Sequence, residues 1–152
     1  ALIKALIAAG LMLPPKGSLL LSIADRDKGE CLPIIKKLYQ LNYGLYATEG
    51  TAAMIESVGL PVKMVTKKLS EGHPNVIDVI QDGSANGAVN TVTGGRTSLK
   101  DGFDIRRAAA ERRIPCFTSL DTIRVAIEAM ANTSQVFNVQ PLGEYLRKSK
   151  GI

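Results

Sequence analysis

Read for the spacing of its apolar and polar positions, the chain alternates between two kinds of segment. Leu2, Ile3, Leu6 and Ile7 fall at helical spacing, so Ala1 to Leu13 predicts a short amphipathic helix. Pro14-Pro15-Lys16-Gly17 ends it, because proline disfavours a helical predecessor and has no N–H to give. Ser18 to Ile23 is a continuous apolar run, the mark of a strand covered on both faces. Asp27, with Glu30 three residues on, reads as a capping-box-like helix start; Leu32, Ile35 and Leu38 make the buried stripe, and Asn42 and Gly44 the stop. The cycle then repeats. Strands are expected at Leu45 to Thr48, Val62 to Val65, Ala88 to Asn90 and Pro115 to Phe117. Helices are expected at Thr51 to Val58 (ending at Gly59), Val76 to Gln81 (Gly83 behind it), Asp104 to Arg112, Leu120 to Ala131 and, on a basic surface, Leu142 to Ser149.

Strands alternating with helices predict an α/β fold: a Rossmann-like three-layer sandwich, with a parallel sheet between two layers of helix. In such sheets ligands sit at the carboxyl ends of the strands. No internal repeat interrupts the pattern, and 152 residues suit one domain. The expected organisation is 1–16 as a helix and linker continuing from a preceding domain and 17–152 as the domain proper, since the chain starts without Met inside a helical pattern. Ala1 to Leu13 has the look of a signal peptide, yet it is too short to span a bilayer and Lys4 interrupts it. No membrane partner is expected.

Composition narrows the partners. A net charge of +5 tilts the chain toward anions. With no Trp and 5% aromatics it lacks the stacking residues of single-strand binders, so nucleic acid is not expected. Cys31 and Cys116 lie far apart and read as reduced, largely buried thiols of a cytoplasmic protein. With His73 as the one imidazole they assemble no metal site.

The polar residues gather after the strands. Asp25-Arg26-Asp27-Lys28 follows the first, Ala47-Thr48-Glu49-Gly50-Thr51 the second, Thr66-Lys67-Lys68 and Glu71-Gly72-His73-Pro74 the third, and Asn90-Thr91-Val92-Thr93-Gly94-Gly95-Arg96 the fourth. The second segment enters a helix, whose unpaired N–H groups and partial positive charge favour a phosphate. Gly50 lets backbone approach closely, and Thr48 and Thr51 add hydroxyls; the competing reading makes Thr48 a plain N-cap. Lys28 and Lys67 or Lys68 would supply positive charge, or are ordinary solvated lysines. Asn90 and Thr91 would read a sugar or base, or merely serve a turn. Gly94-Gly95 is not a P-loop, since the GxxxxGK[ST] spacing is absent. Arg106 and Arg107 fit a solvated face as well as an anion site. No Ser–His–Asp set is suggested, Cys31 has no partner within its helix, and Asp78, Asp101 and Asp104 suit helix starts or surface. The site, as read, binds.

Taken in order, Leu21-Ser22-Ile23, Asp27-Lys28, Ala47-Thr48-Glu49-Gly50-Thr51, Glu71-Gly72, Asn90-Thr91 and Asp101-Gly102-Phe103-Asp104-Ile105-Arg106-Arg107 closely resemble the C-terminal regulatory domain of the carbamoyl-phosphate synthetase large subunit, of methylglyoxal-synthase-like fold. The resemblance runs from about Ala5 to Met130 and includes Ile114-Pro115-Cys116-Phe117-Thr118-Ser119-Leu120-Asp121. It implies a five-stranded parallel sheet and an effector pocket for nucleotides, typically UMP as inhibitor and IMP or a ribose phosphate as activator. Lys28, Thr48, Thr51 and a lysine of the Lys67-Lys68 pair match the family's phosphate-contacting positions, with Ser22, Asn90, Thr91 and Thr93 nearby. It further implies control of glutamine-dependent carbamoyl phosphate synthesis for pyrimidines or arginine. The partners implied are the remaining synthetase domains, the glutaminase small subunit and, through self-association, further copies; in some members the domain contacts ornithine together with its neighbour. No cofactor is implied here, ATP and Mg or Mn belonging to other domains of the synthetase.

This sequence departs from the family in three places. One extra residue lies between Lys67-Lys68 and Glu71-Gly72, Val92 stands where some members carry a second Thr, and the loop at Gly94-Gly95 is longer. Which lysine meets phosphate, and which effector binds, stay open. Two enzyme readings compete. A methylglyoxal synthase places its catalytic aspartate after a Gly-Gly pair, where this chain has Glu71-Gly72-His73, and an inosinate cyclohydrolase needs a Lys-Thr-Leu-His-Pro stretch that is missing. A third alternative is an oligomerisation module with a vestigial pocket.

Overall fold

In the computed structural model the residues described are 2–67, 70, 72–91 and 96–139. Strand β1 (Ser18–Ser22) forms the middle of a five-stranded sheet. It pairs in parallel with β2 (Gly44–Thr48), Leu20 facing Tyr46, and on its other side with β4 (Gly87–Asn90), Leu20 facing Ala88. Strand β3 (Lys63–Val65) lies beyond β2 and β5 (Cys116–Phe117) beyond β4, both parallel, so the order is β3-β2-β1-β4-β5.

The apolar run at Leu19, Leu20 and Leu21 is fully buried because each face of β1 is roofed by helices. Leu19 and Leu21 pack with Ile35 and Leu38 of α2 (Lys28–Gln40), Ile55 of α3 (Glu49–Ser57) and Ile123 of α6 (Leu120–Val139). Leu20 points the other way, into Val76, Val79 and Ile80 of α4 (Val76–Gln81) and Ile105 of α5 (Arg96–Glu111). Side chains alternate across a strand, so only two helical layers can hide such a run.

The first helix, α1 (Leu2–Ala8), is shorter than its apolar spacing predicts. It stops at Gly10, at φ 70°, where Leu11 N–H reaches Leu6 O and Gly10 N–H reaches Ile7 O, the two bonds of a Schellman end; the prolines come later. The same pair of bonds closes α2 at Asn42, α3 at Gly59 and α5 at Arg113. Gly44, read as part of a stop signal, opens β2 instead. The expected capping box at Asp27 is not formed: Asp25–Asp27 is a turn of 3-10 helix running straight into α2, and Asp27 makes no cap bond. The box lies at α4, where Asn75 Oδ1 accepts from Asp78 N–H and Asp78 Oδ2 accepts from Asn75 N–H. Helix α5 begins eight residues before the expected Asp104, at Arg96, and carries Gly102 in its interior. An internal glycine costs a helix only about 1 kcal/mol, which the buried Ile105, Ala108 and Ala109 outweigh. The expected helix at Leu142 to Ser149 lies outside the described residues.

Candidate functional site

The chain runs from β1 to β2 and β3 on one side of the sheet, then crosses to β4 and β5 on the other. The carboxyl ends of β1 and β4 therefore flank the point where strand order reverses, the usual crevice of such sheets. Ser22 and Asn90, the last residues of those strands, sit side by side in register, and Thr91 N–H donates to Ser22 O at 3.1 Å.

Helix α3 starts at this edge. Its N-cap, Thr48, has extended backbone but makes no side-chain cap bond; its hydroxyl donates instead to Thr51 Oγ1 at 3.4 Å. The N-terminal turn of α3 thus keeps its positive end undiminished by Thr48. Thr51 Oγ1 also accepts from Ile23 N–H at 3.1 Å, so the first turn of α3 is fastened to the end of β1. Having accepted twice, the Thr51 hydroxyl still holds its own proton to donate.

Lys28, at the start of α2, delivers its ammonium to the same place. A Cβ on Gly50 would stand 2.8 Å from Lys28 Nζ, so the lysine lies over the first turn of α3 because residue 50 has no side chain. Asp25 Oδ1 is 2.5 Å from that ammonium. The hydrogen bond and charge of Lys28, with the nearby Lys67 charge adding, hold the Asp25 carboxyl below its usual range. Lys67 reaches Asp101 of α5, Nζ to Oδ2 3.7 Å. The result is two lysines, each paired with a carboxylate: Lys28 with Asp25 over the first turn of α3, and Lys67, in the segment after β3, with Asp101.

On the β4 side, Asn90 is 3% exposed, and its Nδ2 is a buried donor without a partner among the described residues. An unpaired buried amide costs about 1–3 kcal/mol, so such a group is expected to meet an acceptor in the working protein. Thr91 does a different job. Its Oγ1 accepts from Ala24 N–H at 2.8 Å, tying the turn after β1 to the end of β4. A neighbouring cavity of about 310 Å³ opens beyond it, lined by Arg26, Asp27, Glu30, Thr91, Thr118 and Ser119 among others.

Of the residues singled out from sequence, the structure gathers Ser22, Lys28, Thr48, Thr51, Asn90 and Thr91 on one edge, with Lys67 near enough to act on Asp25. Lys68 and Thr93 lie outside the described residues, as do Glu71, Gly94 and Gly95. Arg107 pairs with Glu111 on the exposed face of α5. His73 is exposed but bonded to Asp78, whose carboxyl is held low first by the Asn75 backbone N–H and then by His73. Burial pushes the Cys31 thiol up to about 12 and the Cys116 thiol up to about 11, so neither is a ready nucleophile. Among the described residues, no three or more His, Cys, Asp or Glu gather as metal ligands, and no helix is long and apolar enough to cross a membrane.

Sequence reasoning noted Asp25 without a role and read Asp101 as a helix-start or surface carboxylate; both engage a site lysine. The capping box at Asn75 escaped notice although Asn-x-x-Asp before an apolar run is a readable helix start.

Residues 30–118 match the family model of the MGS-like domain. The chain is 43% identical over 145 residues to the carbamoyl phosphate synthase large chain of Thermomicrobium roseum, an alignment covering 95% of this chain and 14% of that relative. The matched segment holds Thr48, Thr51, Lys67 and Asn90; β1, with Ser22, and Lys28 precede it, although β1 is the central strand.

Proposed function

This chain belongs to the MGS-like domain family, and on that premise we propose that it is an effector-binding regulatory domain of a carbamoyl-phosphate synthetase large subunit. Its ligand is a phosphate-bearing nucleotide or ribose phosphate, of the UMP, IMP or phosphoribosyl pyrophosphate kind. The phosphoryl group meets the N-terminus of α3, the Thr51 hydroxyl and the ammonium groups of Lys28 and Lys67, while Asn90 donates to a more distant acceptor of the same ligand. In this reading the domain makes and breaks no bonds. It adjusts glutamine-dependent carbamoyl phosphate synthesis carried out with ATP and a divalent metal in other domains, alongside a glutaminase subunit, in the cytoplasm, for pyrimidine or arginine formation.

One observation carries the reading: the Asn90 amide, without a partner among the described residues, is buried on the same edge where Lys28 overlies the first turn of α3. A buried donor, a helix N-terminus and a fixed cation together are complementary to a polar anion and to little else. Calorimetric titration with UMP, IMP and phosphoribosyl pyrophosphate tests it, and saturable heat with at least one is expected. No heat with any of them would turn the assignment toward an assembly module. Release of methylglyoxal from dihydroxyacetone phosphate would replace it with an enzyme.

A further inference from the structure

The Asp25–Lys28 pair lies inside the proposed anion site and opposes it. Asp25 Oδ1 is 2.5 Å from the very ammonium that overlies Gly50, and the Lys67 charge acts on the same carboxylate. Asp25 itself is 92% exposed while Lys28 is 23% exposed, so the lysine is held in place by its surroundings and the carboxylate is the movable partner. An anion reaching the first turn of α3 therefore meets the Asp25 charge and competes with it for the Lys28 ammonium.

Resting on the function proposed above, we propose that Asp25 is the specificity-determining residue of this site, a tethered carboxylate that excludes singly charged carboxylate ligands and gives way to a dianionic phosphoryl group. The argument is one of competition. Three residues of chain hold Asp25 beside Lys28, and a group on so short a tether acts at an effective concentration of millimolar or more. A carboxylate from solution offers Lys28 the same chemistry without the tether, and gains nothing by exchange. A phosphoryl group brings a second charge and a third oxygen. It can engage Lys28, Lys67 and the N–H groups of α3 at once, which one carboxylate cannot.

The test compares inorganic phosphate with acetate on the intact chain, followed by calorimetry and by backbone chemical shifts at Gly50 and Thr51. The unaltered chain is expected to bind phosphate and not acetate. In Asp25→Asn, phosphate should bind about two- to five-fold tighter, the fold-change that an exposed ion pair is worth. Acetate should begin to move the same resonances, and Asp25→Glu, which restores the charge on a longer arm, should exclude it again. Phosphate affinity unchanged in Asp25→Asn, with acetate still excluded, would overturn the role of Asp25 and leave the anion site standing. Acetate binding equally to the unaltered chain would do the same. If phosphate binds neither protein, the anion site itself falls, and the specificity assignment with it.

Discussion

Thr51 has two roles that cannot be separated by deletion. Its oxygen satisfies the buried Ile23 N–H, and in the proposed function its hydroxyl donates to the ligand's phosphoryl group. Thr51→Ala is therefore expected to weaken phosphate binding and also to lower stability by about 1–3 kcal/mol, because the Ile23 donor is left without an acceptor. Thr51→Ser should recover both, which urea denaturation and calorimetry on the same preparation would check. Lys28→Ala is the cleaner probe. Its ammonium meets a surface carboxylate and the glycine turn rather than the core, so stability should stay within about 0.5 kcal/mol. Binding should weaken by about 1–3 kcal/mol, the worth of a charge-assisted hydrogen bond. Thr48 and Thr51 were legible in the sequence as hydroxyls near a helix start, and Thr91 as one closing a strand. That Thr48 does not cap, and that Thr91 spends its oxygen on Ala24, were not, since both depend on which backbone N–H the fold brings near.

At the scale of elements, the helix ends show how one backbone device accepts different residues. Gly10, Asn42, Gly59 and Arg113 all occupy the left-handed position of a Schellman end. Glycine does so freely and asparagine tolerably, but Arg113 at φ 56° pays a steric cost, the left-handed form placing Cβ against the next carbonyl. Arg113→Gly should raise stability by roughly 0.5–1 kcal/mol, the left-handed penalty less the added freedom of the unfolded glycine. A shift of the urea midpoint to higher concentration at unchanged slope would bear this out; a shift to lower concentration would refute it. The Asn42 and Gly59 ends were readable from residue type, whereas the Gly10 end was passed over for the prolines that follow it. The Arg end was not, because nothing in an arginine signals a positive φ, and the chain turns there to carry Ile114 back toward β5.

For the whole molecule, the two cores on either side of β1 are held by neighbouring residues of one strand. Leu20→Ala and Leu21→Ala open cavities in different helical layers, yet each should cost about 2–5 kcal/mol, as for a leucine removed from a close-packed interior. Thermal unfolding of each, and of the pair, would show near-additive losses if the layers are independent. Acid should act at the surface. Asp25 and Asp78 have carboxyls depressed by Lys28, Asn75 and His73, so their contribution is present above the unfolded carboxyl value and fades as pH falls through the lower folded values. Denaturant midpoints should accordingly hold steady down to about pH 4 and decline below it, and Lys28→Ala should remove part of that decline. The run of polar and apolar residues by itself determined the alternation of strand and helix, and that β1 needs a roof on each side, because burial periodicity is a local property of the chain. It also marked Lys28, Thr51 and Asn90 as polar groups following strands. Their meeting was decided by tertiary structure alone: Thr51 reaches Ile23 across 28 residues and Thr91 reaches Ala24 across 67, distances spanned by strand order and crossover, which no local pattern encodes. The carboxylate of Asp25 belongs to the same class of fact, since its charge is written in the sequence but its position on a lysine that covers Gly50 is set by where α2 and α3 begin.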